Sequence, residues 1–228
     1  MRILLTAATP FEIQPTVDWL LSLEPDREEN RLVFPSCKIE VCFTGIGPVR
    51  TAFALGMTLR GQDPPALAIQ AGIAGAFDEQ LELGQVVSVR SDRFLDDGAE
   101  DRDGSLLDLA DMGFPYAAPF DESGILKASV TNTVLPFQEV VGGTVSRATG
   151  TANSIDLIRS KYPDVQTESM EGAAFLYACL STGVQALQLR SISNYVGPRD
   201  RSTWQMKPAL ENLNRDLRQV IQPFIGFS

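Results

Sequence analysis

Residues 170–180 read Met-Glu-Gly-Ala-Ala-Phe-Leu-Tyr-Ala-Cys-Leu, and residues 185–192 read Gln-Ala-Leu-Gln-Leu-Arg-Ser-Ile. The first run is apolar nearly all round, with Glu171 its only charge, and a helix without a polar face is a buried helix. The second has strand length and follows after a few small residues. Together they predict a helix over 170–181 feeding a strand over 185–192, with a short strand near 165–167 before them. The same alternation continues outward. Strands are predicted at 3–7, 39–43, 66–70 and 140–145, a helix after the first strand ending at Leu23, and helices over 48–60 and 152–162. A last helix, about 202–221, carries Met206, Leu210, Leu213, Leu217 and Val220 on one face. Strands alternating with helices predict an α/β fold with a mostly parallel sheet. The middle is less regular: 86–89 reads as a strand, 92–111 as an acidic loop, and 114–137 is rich in turn residues. No repeat, low-complexity tract or linker interrupts the chain, which predicts one domain over 1–228.

The 228 residues are 44% apolar, 21% charged and 8% aromatic, the balance of a globular chain rather than a disordered, collagenous or coiled-coil one. An α/β domain of this length buries about three quarters of its unfolded surface. With 19 Lys and Arg against 29 Asp and Glu, the net charge is −10. A field of that sign repels phosphate backbones and acidic lipid, so nucleic acid and membrane are not expected partners. There is no histidine, which excludes imidazole bases, Ser–His and Cys–His dyads and His-ligated metal. Proton transfer falls to Asp, Glu, Lys, Tyr or Cys. Cys37, Cys42 and Cys179 form no C-x-x-C pair and read as reduced thiols of a cytoplasmic protein. The N-terminal apolar run stops at Pro10 and Glu12 without a signal-peptide pattern, and polar residues from Ser181 to Gln188 break the uncharged run 172–189. Neither predicts a membrane segment.

In open α/β sheets, ligands bind beyond the carboxyl ends of strands. Those positions, 8–12, 44–47, 71–75, 169–171 and 193–195, hold two carboxylates, one carboxamide and several glycines. Glu12 completes a capping box with Thr9, and Pro10 suits the first helical position. Pro15 would clash inside a helix begun at Pro10 and can instead start it, leaving Glu12 in a loop over the strand end. Glu171 can serve the helix dipole, worth about 0.3–1 kcal/mol, or be a buried functional carboxylate that needs a partner. Asn194 reads as a turn residue or as a hydrogen-bonding carboxamide. Gly45-Ile46-Gly47 makes a weak nucleotide fingerprint, because Arg50 stands where a third glycine belongs. Ala71-Gly72-Ile73-Ala74-Gly75 reads as a flexible turn that admits a ligand or a packed neighbour close to the backbone. Arg199 and Arg201, beside Trp204, suit either a substrate carboxylate or a solvated rim. The acidic run 96–103 reads as a solvated loop, with Mg²⁺ binding a second reading.

In their order and spacing, Met1-Arg2-Ile3-Leu4 leading to Glu12, Gly45-Ile46-Gly47, Ala71–Gly75, Glu168-Ser169-Met170-Glu171-Gly172-Ala173-Ala174 and Arg190-Ser191-Ile192-Ser193-Asn194 resemble the nucleoside phosphorylase/nucleosidase family. The resemblance covers essentially the whole chain. It implies a single-domain three-layer sandwich with a mixed, largely parallel central sheet flanked by helices. It also implies that Glu171 holds the ribose hydroxyls, that Met170 packs under the sugar, that Gly72 and Ile73 border the substrate, and that Glu12 activates water. Adenine-specific nucleosidases of the family carry Asp where this chain has Asn194. A 6-oxopurine presents two acceptors, O6 and N7, and a carboxamide NH₂ can donate to them where a carboxylate would repel them. Ile73 replaces the hydroxyl that phosphate-using members need, which favours water as nucleophile, although Arg50 could contact an anion. The segment 144–149 lacks the aromatic that usually stacks on the base. Asn194 followed by Tyr195-Val196-Gly197-Pro198-Arg199-Asp200-Arg201 and Trp204 is most similar to the branch that hydrolyses futalosine, an inosine-like nucleoside with a carboxylated aromatic ring on its 5′ side. The resemblance implies catalysis by Glu12 and Asn194 without metal or organic cofactor, a small nucleoside substrate, and a homo-oligomer, a dimer or larger, whose neighbour closes the 5′ pocket. An adenine-type nucleosidase, a purine nucleoside phosphorylase and a nucleoside-binding protein without turnover remain as alternatives.

Overall fold

Arg2–Ala7 is buried along its whole length, the pattern of a strand covered on both faces. In the computed structural model, which describes residues 1–61, 63–130 and 136–226, this run is strand β1. Helix α1 (Pro10–Ser22) follows, and a small hairpin of β2 (Asp26–Glu28) and β3 (Arg31–Val33) leads to β4 (Lys38–Phe43). Helix α2 (Pro48–Leu59) precedes β5 (Leu67–Ala76) and β6 (Val86–Asp92). A two-stranded excursion, β7 (Gly98–Glu100) and β8 (Leu106–Asp108), is followed by β9 (Leu126–Lys127) and β10 (Gln138–Thr144). The chain ends with α3 (Ala152–Lys161), β11 (Thr167–Ser169), α4 (Gly172–Thr182), β12 (Gln185–Tyr195), a 3₁₀ turn at Arg201–Thr203 and α5 (Met206–Ile225).

The main sheet runs β11-β10-β6-β12-β5-β1-β4-β3-β2. Its long central pairs, β4 with β1, β1 with β5 and β5 with β12, are parallel, while β12 and β6 are antiparallel. Side chains alternate across β1 as the pleat requires. Ile3, Leu5 and Ala7 join a core with Ile13 and Leu20 of α1 and Leu213, Leu217 and Ile221 of α5. Leu4 points the other way, into a core with Leu55 and Leu59 of α2 and Phe175, Leu176 and Cys179 of α4. Two helical layers thus cover one mixed sheet, the class of fold expected. At one end the sheet curls: β11 turns back to pair antiparallel with β5, Glu168 facing Gly75 and Thr167 facing Ala76.

Several boundaries differ from the sequence expectation. Residues 71–75 are not a turn, because β5 continues to Ala76 with β12 on one edge and β11 on the other. Asn194 is not a turn residue either, since β12 runs to Tyr195 with a bulge between Ile192 and Asn194. Asp92 closes β6 and is buried instead of opening a loop. The loop that follows it contains the β7–β8 hairpin. Residues 131–135 of the turn-rich stretch lie outside the described residues. β2 and β3, three residues each and mostly polar, leave no alternation to detect.

Pro15 does not start α1; it lies inside a helix begun at Pro10. Asn214 of α5 makes this possible. Its Oδ1 accepts from the Thr16 N–H at 3.0 Å, and its Nδ2 donates to the Glu12 carbonyl at 2.8 Å. The carboxamide thereby bridges the Thr16 N–H and the Glu12 carbonyl, one residue past the proline. Glu12 is consequently in the first helical turn, not in a loop.

Candidate active site

The ends of β1, β5, β11 and β12 border a cavity of about 340 Å³, within the range of small-ligand sites. Glu12, Ile73, Glu168, Met170, Glu171, Asn194, Arg199 and Trp204 all line it. Residues from the first and last parts of the chain therefore meet at one place.

Glu12 is 6% exposed. Its Oε2 accepts from the Thr9 N–H at 3.0 Å, one half of the capping box, and its Oε1 accepts from the Ile73 N–H at 3.4 Å. The capping reading does not exclude the functional one, because the same hydrogen bond that caps α1 fixes a carboxylate at the cavity wall. Burial raises its pKa above the ordinary 4.5, and nearby Glu171 adds to the rise. Arg190 and the two backbone N–H groups oppose it.

Glu171 is the N-cap residue of α4, not a member of its first turn, and its side chain does not cap the helix. The first N–H groups of that turn have other acceptors: Thr144 Oγ1 accepts from Ala173 at 2.7 Å and Ser169 Oγ from Gly172 at 3.4 Å. Released from that task, the Glu171 carboxylate accepts from the Gly47 N–H at 3.1 Å and lies 3.7 Å from Arg190 Nη1. Gly47, at φ +96°, holds a backbone conformation that side chains disfavour. Met170 lines the cavity and packs against the core that holds α3.

Arg190, 1% exposed, lies buried beside Glu171. Its Nε donates to Gln188 Oε1 at 3.1 Å and its Nη2 to Gln70 Oε1 at 2.7 Å. It lies in register with Gly72. A Cβ on Gly72 would stand 2.4 Å from Arg190 Nη1 and 2.7 Å from Glu12 Oε1. The close approach at Gly72 is therefore made by the protein's own Arg190 and Glu12 side chains, and Gly72 itself does not line the cavity.

At the other end Asn194 Oδ1 accepts from the Ser193 hydroxyl at 2.8 Å, which orients Nδ2 toward the Tyr195 carbonyl at 3.0 Å. One amide hydrogen remains for a ligand. Glu168 lies across Gly75 from Asn194, since both pair with that glycine. Glu168 Oε1 accepts from the Thr149 N–H at 3.0 Å, its Oε2 accepts from the Thr149 hydroxyl, and burial raises its pKa. Arg199 and Arg201 both lie over the Trp204 ring, at 5.4 and 5.9 Å from its centroid, but Arg201 does not line the cavity. Arg50 does not line the cavity; it donates to the Ile46 carbonyl at 3.1 Å. Phe11, Tyr195 and Trp204 supply the cavity's aromatic rings, none of them from 144–149. Among the described residues, no group of three or more Cys, Asp or Glu side chains is placed to hold a metal ion.

Of the residues singled out in the sequence, Glu12, Ile73, Met170, Glu171, Asn194, Arg199 and Trp204 line the cavity, while Glu168, which also lines it, and the buried network of Gln70, Gln188 and Arg190 were not singled out. The available signal was Gln188 and Arg190, two long polar side chains two apart in an apolar run, which share one face of a strand.

A mixed α/β sheet with paired carboxylates at its strand ends defines a known class of protein. The chain matches the Phosphorylase superfamily over residues 2–225 and belongs to it. It is similar to futalosine hydrolase of Streptomyces coelicolor, 36% identical over 74% of this chain and 72% of that protein. Futalosine hydrolase of Thermus thermophilus is 31% identical over 78% of this chain and 79% of its own length. Among solved structures, futalosine hydrolase of Helicobacter pylori shares the fold with a TM-score of 0.79 at 17% identity, over 98% of both chains.

Proposed function

We propose that this protein hydrolyses the N-glycosidic bond of futalosine, releasing hypoxanthine. The observation that carries this reading is the placement of a buried, pKa-raised carboxylate, Glu12, in the same cavity as a carboxamide, Asn194. The futalosine hydrolases named above support the choice of nucleoside. Bond cleavage proceeds through an oxocarbenium-like ribosyl transition state. Glu171 accepts from the ribose hydroxyls while Met170 packs beneath the sugar, which holds the reacting carbon in place. Glu12 removes a proton from the attacking water. Asn194 donates to the leaving hypoxanthine and stabilises its developing negative charge. Glu168 accepts from N1–H, a donor that a 6-oxopurine has and adenine lacks. Arg199, braced on Trp204, meets the carboxylate of the 5′ substituent.

The protein works as a homo-oligomer in this reading. Val49, Phe53 and Met57 form an exposed apolar stripe on α2, at 81%, 73% and 70% exposure, and a stripe of that kind marks a contact surface. A neighbour seated there closes the 5′ end of the cavity. We place the protein in the cytoplasm and expect no nucleic-acid partner. Among the described residues no helix is long and apolar enough to cross a membrane.

The decisive experiment is chromatography of free base released from futalosine, inosine and methylthioadenosine, each with and without phosphate. Hypoxanthine from futalosine, independent of phosphate, is expected. Adenine from methylthioadenosine would move the protein to the adenine-type nucleosidases. Release that requires phosphate would make it a phosphorylase, and saturable binding without release would make it a binding protein.

A further inference from the structure

Asp92 ends β6 inside the molecule, 1% exposed. Two glycines clear its space: a Cβ on Gly172 would stand 2.1 Å from Asp92 Oδ2, and one on Gly142 would stand 2.8 Å from it. A carboxylate this deep is costly unless its oxygens are bonded. Oδ1 accepts from the Thr144 hydroxyl at 2.9 Å, and Oδ2 accepts from Gln188 Nε2 at 3.2 Å. Having given its proton to Asp92, the Thr144 oxygen receives the Ala173 N–H at the start of α4.

The second branch has a direction. An ionised carboxylate only accepts, so it commits the nitrogen of the Gln188 amide to itself and turns the Gln188 oxygen toward Arg190. Arg190 only donates, and its Nε uses that oxygen at 3.1 Å. The guanidinium so held reaches Gln70 and faces Glu171. We propose that Asp92 is a positioning residue for the reaction, setting the Gln188 amide so that Arg190 is aimed at Glu171 and Glu12. This role rests on the proposed function. The groups that face Asp92 are Thr144 of β10, Gln188 and Arg190 of β12 and the first residues of α4, and Arg190 carries the charge that bears on it. Burial pushes the Asp92 carboxyl up to about 6 in spite of these partners. A proton taken up there puts a donor into the chain and loosens its direction in mild acid.

The test compares kcat, KM and the pH profile of base release for wild type, Asp92→Asn, Gln188→Glu and the double variant. Asp92→Asn can set an NH₂ against the Gln188 NH₂, so the glutamine flips and turns a donor toward Arg190. A loss of kcat of about 10²-fold is expected with little change in KM. In the double variant the carboxamide introduced at position 92 donates to one oxygen of the carboxylate introduced at position 188, while the other oxygen accepts from Arg190. Its kcat is expected to recover to within about tenfold of wild type. Gln188→Glu alone places two carboxylates in contact, so they share a proton; Asp92 then donates to the carboxylate at 188, which still accepts from Arg190, and the acid limb of kcat, now set by the second proton, moves down in pH. Wild-type kcat and profile in Asp92→Asn, or a folded double variant no better than the single, would overturn the role. Should Asp92→Asn fail to fold, an unmoved acid limb in Gln188→Glu overturns it instead. A wild type that releases no base from any nucleoside overturns the proposed function and this role with it, whereas turnover that the variants leave unchanged overturns this role alone.

Discussion

Gly72 stands where two charged groups leave no room for a methyl group. Gly72→Ala is expected to push Arg190 and Glu12 off their hydrogen bonds. Overpacking of this kind costs about 1–3 kcal/mol, and the activity assay should fall further than the thermal midpoint suggests, because Glu12 is the proposed base and Arg190 contacts Glu171. Glu12→Gln keeps the shape of the side chain and removes the base. Turnover should drop about 10²–10⁴-fold while calorimetric binding of a nucleoside persists, and retained turnover would refute its role. Under the proposed mechanism Glu12 works as a base only when ionised. Since burial raises the Glu12 pKa above 4.5, kcat should fall on the acid side at a higher pH than an exposed glutamate would give. Asn194→Asp replaces a donor by a carboxylate. Hypoxanthine release should weaken about 10²–10³-fold, with adenine release from methylthioadenosine gained in the same assay.

Helix α1 depends on a residue almost two hundred positions away. Asn214→Ala would leave the Thr16 N–H and the Glu12 carbonyl buried without partners, at about 1–3 kcal/mol for each such group. A lower urea midpoint and reduced kcat together are expected, since Glu12 sits on the loosened turn. The elements that could be read from the chain were those whose pattern is local. β1, β4, α2 and α3 follow from runs and periodicity within a dozen residues. β5 and β12 were cut short because Gly72, Gly75 and Asn194 look like turn residues, whereas pairing on both edges of β5 keeps those glycines in a strand. The same distinction divides the site. Carboxylates at strand ends announce Glu12 and Glu171, but Arg190 acquires its meaning only from its register with Gly72. Asp92 looks like the first residue of an acidic loop until Gly142 and Gly172 are seen to enclose it.

For the whole molecule, the exposed stripe on α2 sets the expected assembly. Phe53→Glu places a charge where an apolar neighbour would sit, and sedimentation velocity should show the oligomer dissociating with the protomer still folded. An unchanged sedimentation coefficient would place the contact elsewhere. The meeting of Glu12 with Arg190 and Asn194 also fixes when activity can begin. Ribosomes add roughly 5–20 residues per second, so Arg190 is joined to the chain on the order of 10–40 s after Glu12. Throughout that interval the proposed base has neither its cationic neighbour, Arg190, nor Asn194, the proposed partner of the leaving group. Under the proposed mechanism a growing or prematurely ended chain is therefore expected to be inert toward nucleosides, and the first molecule able to cut a glycosidic bond to be one whose synthesis is nearly finished.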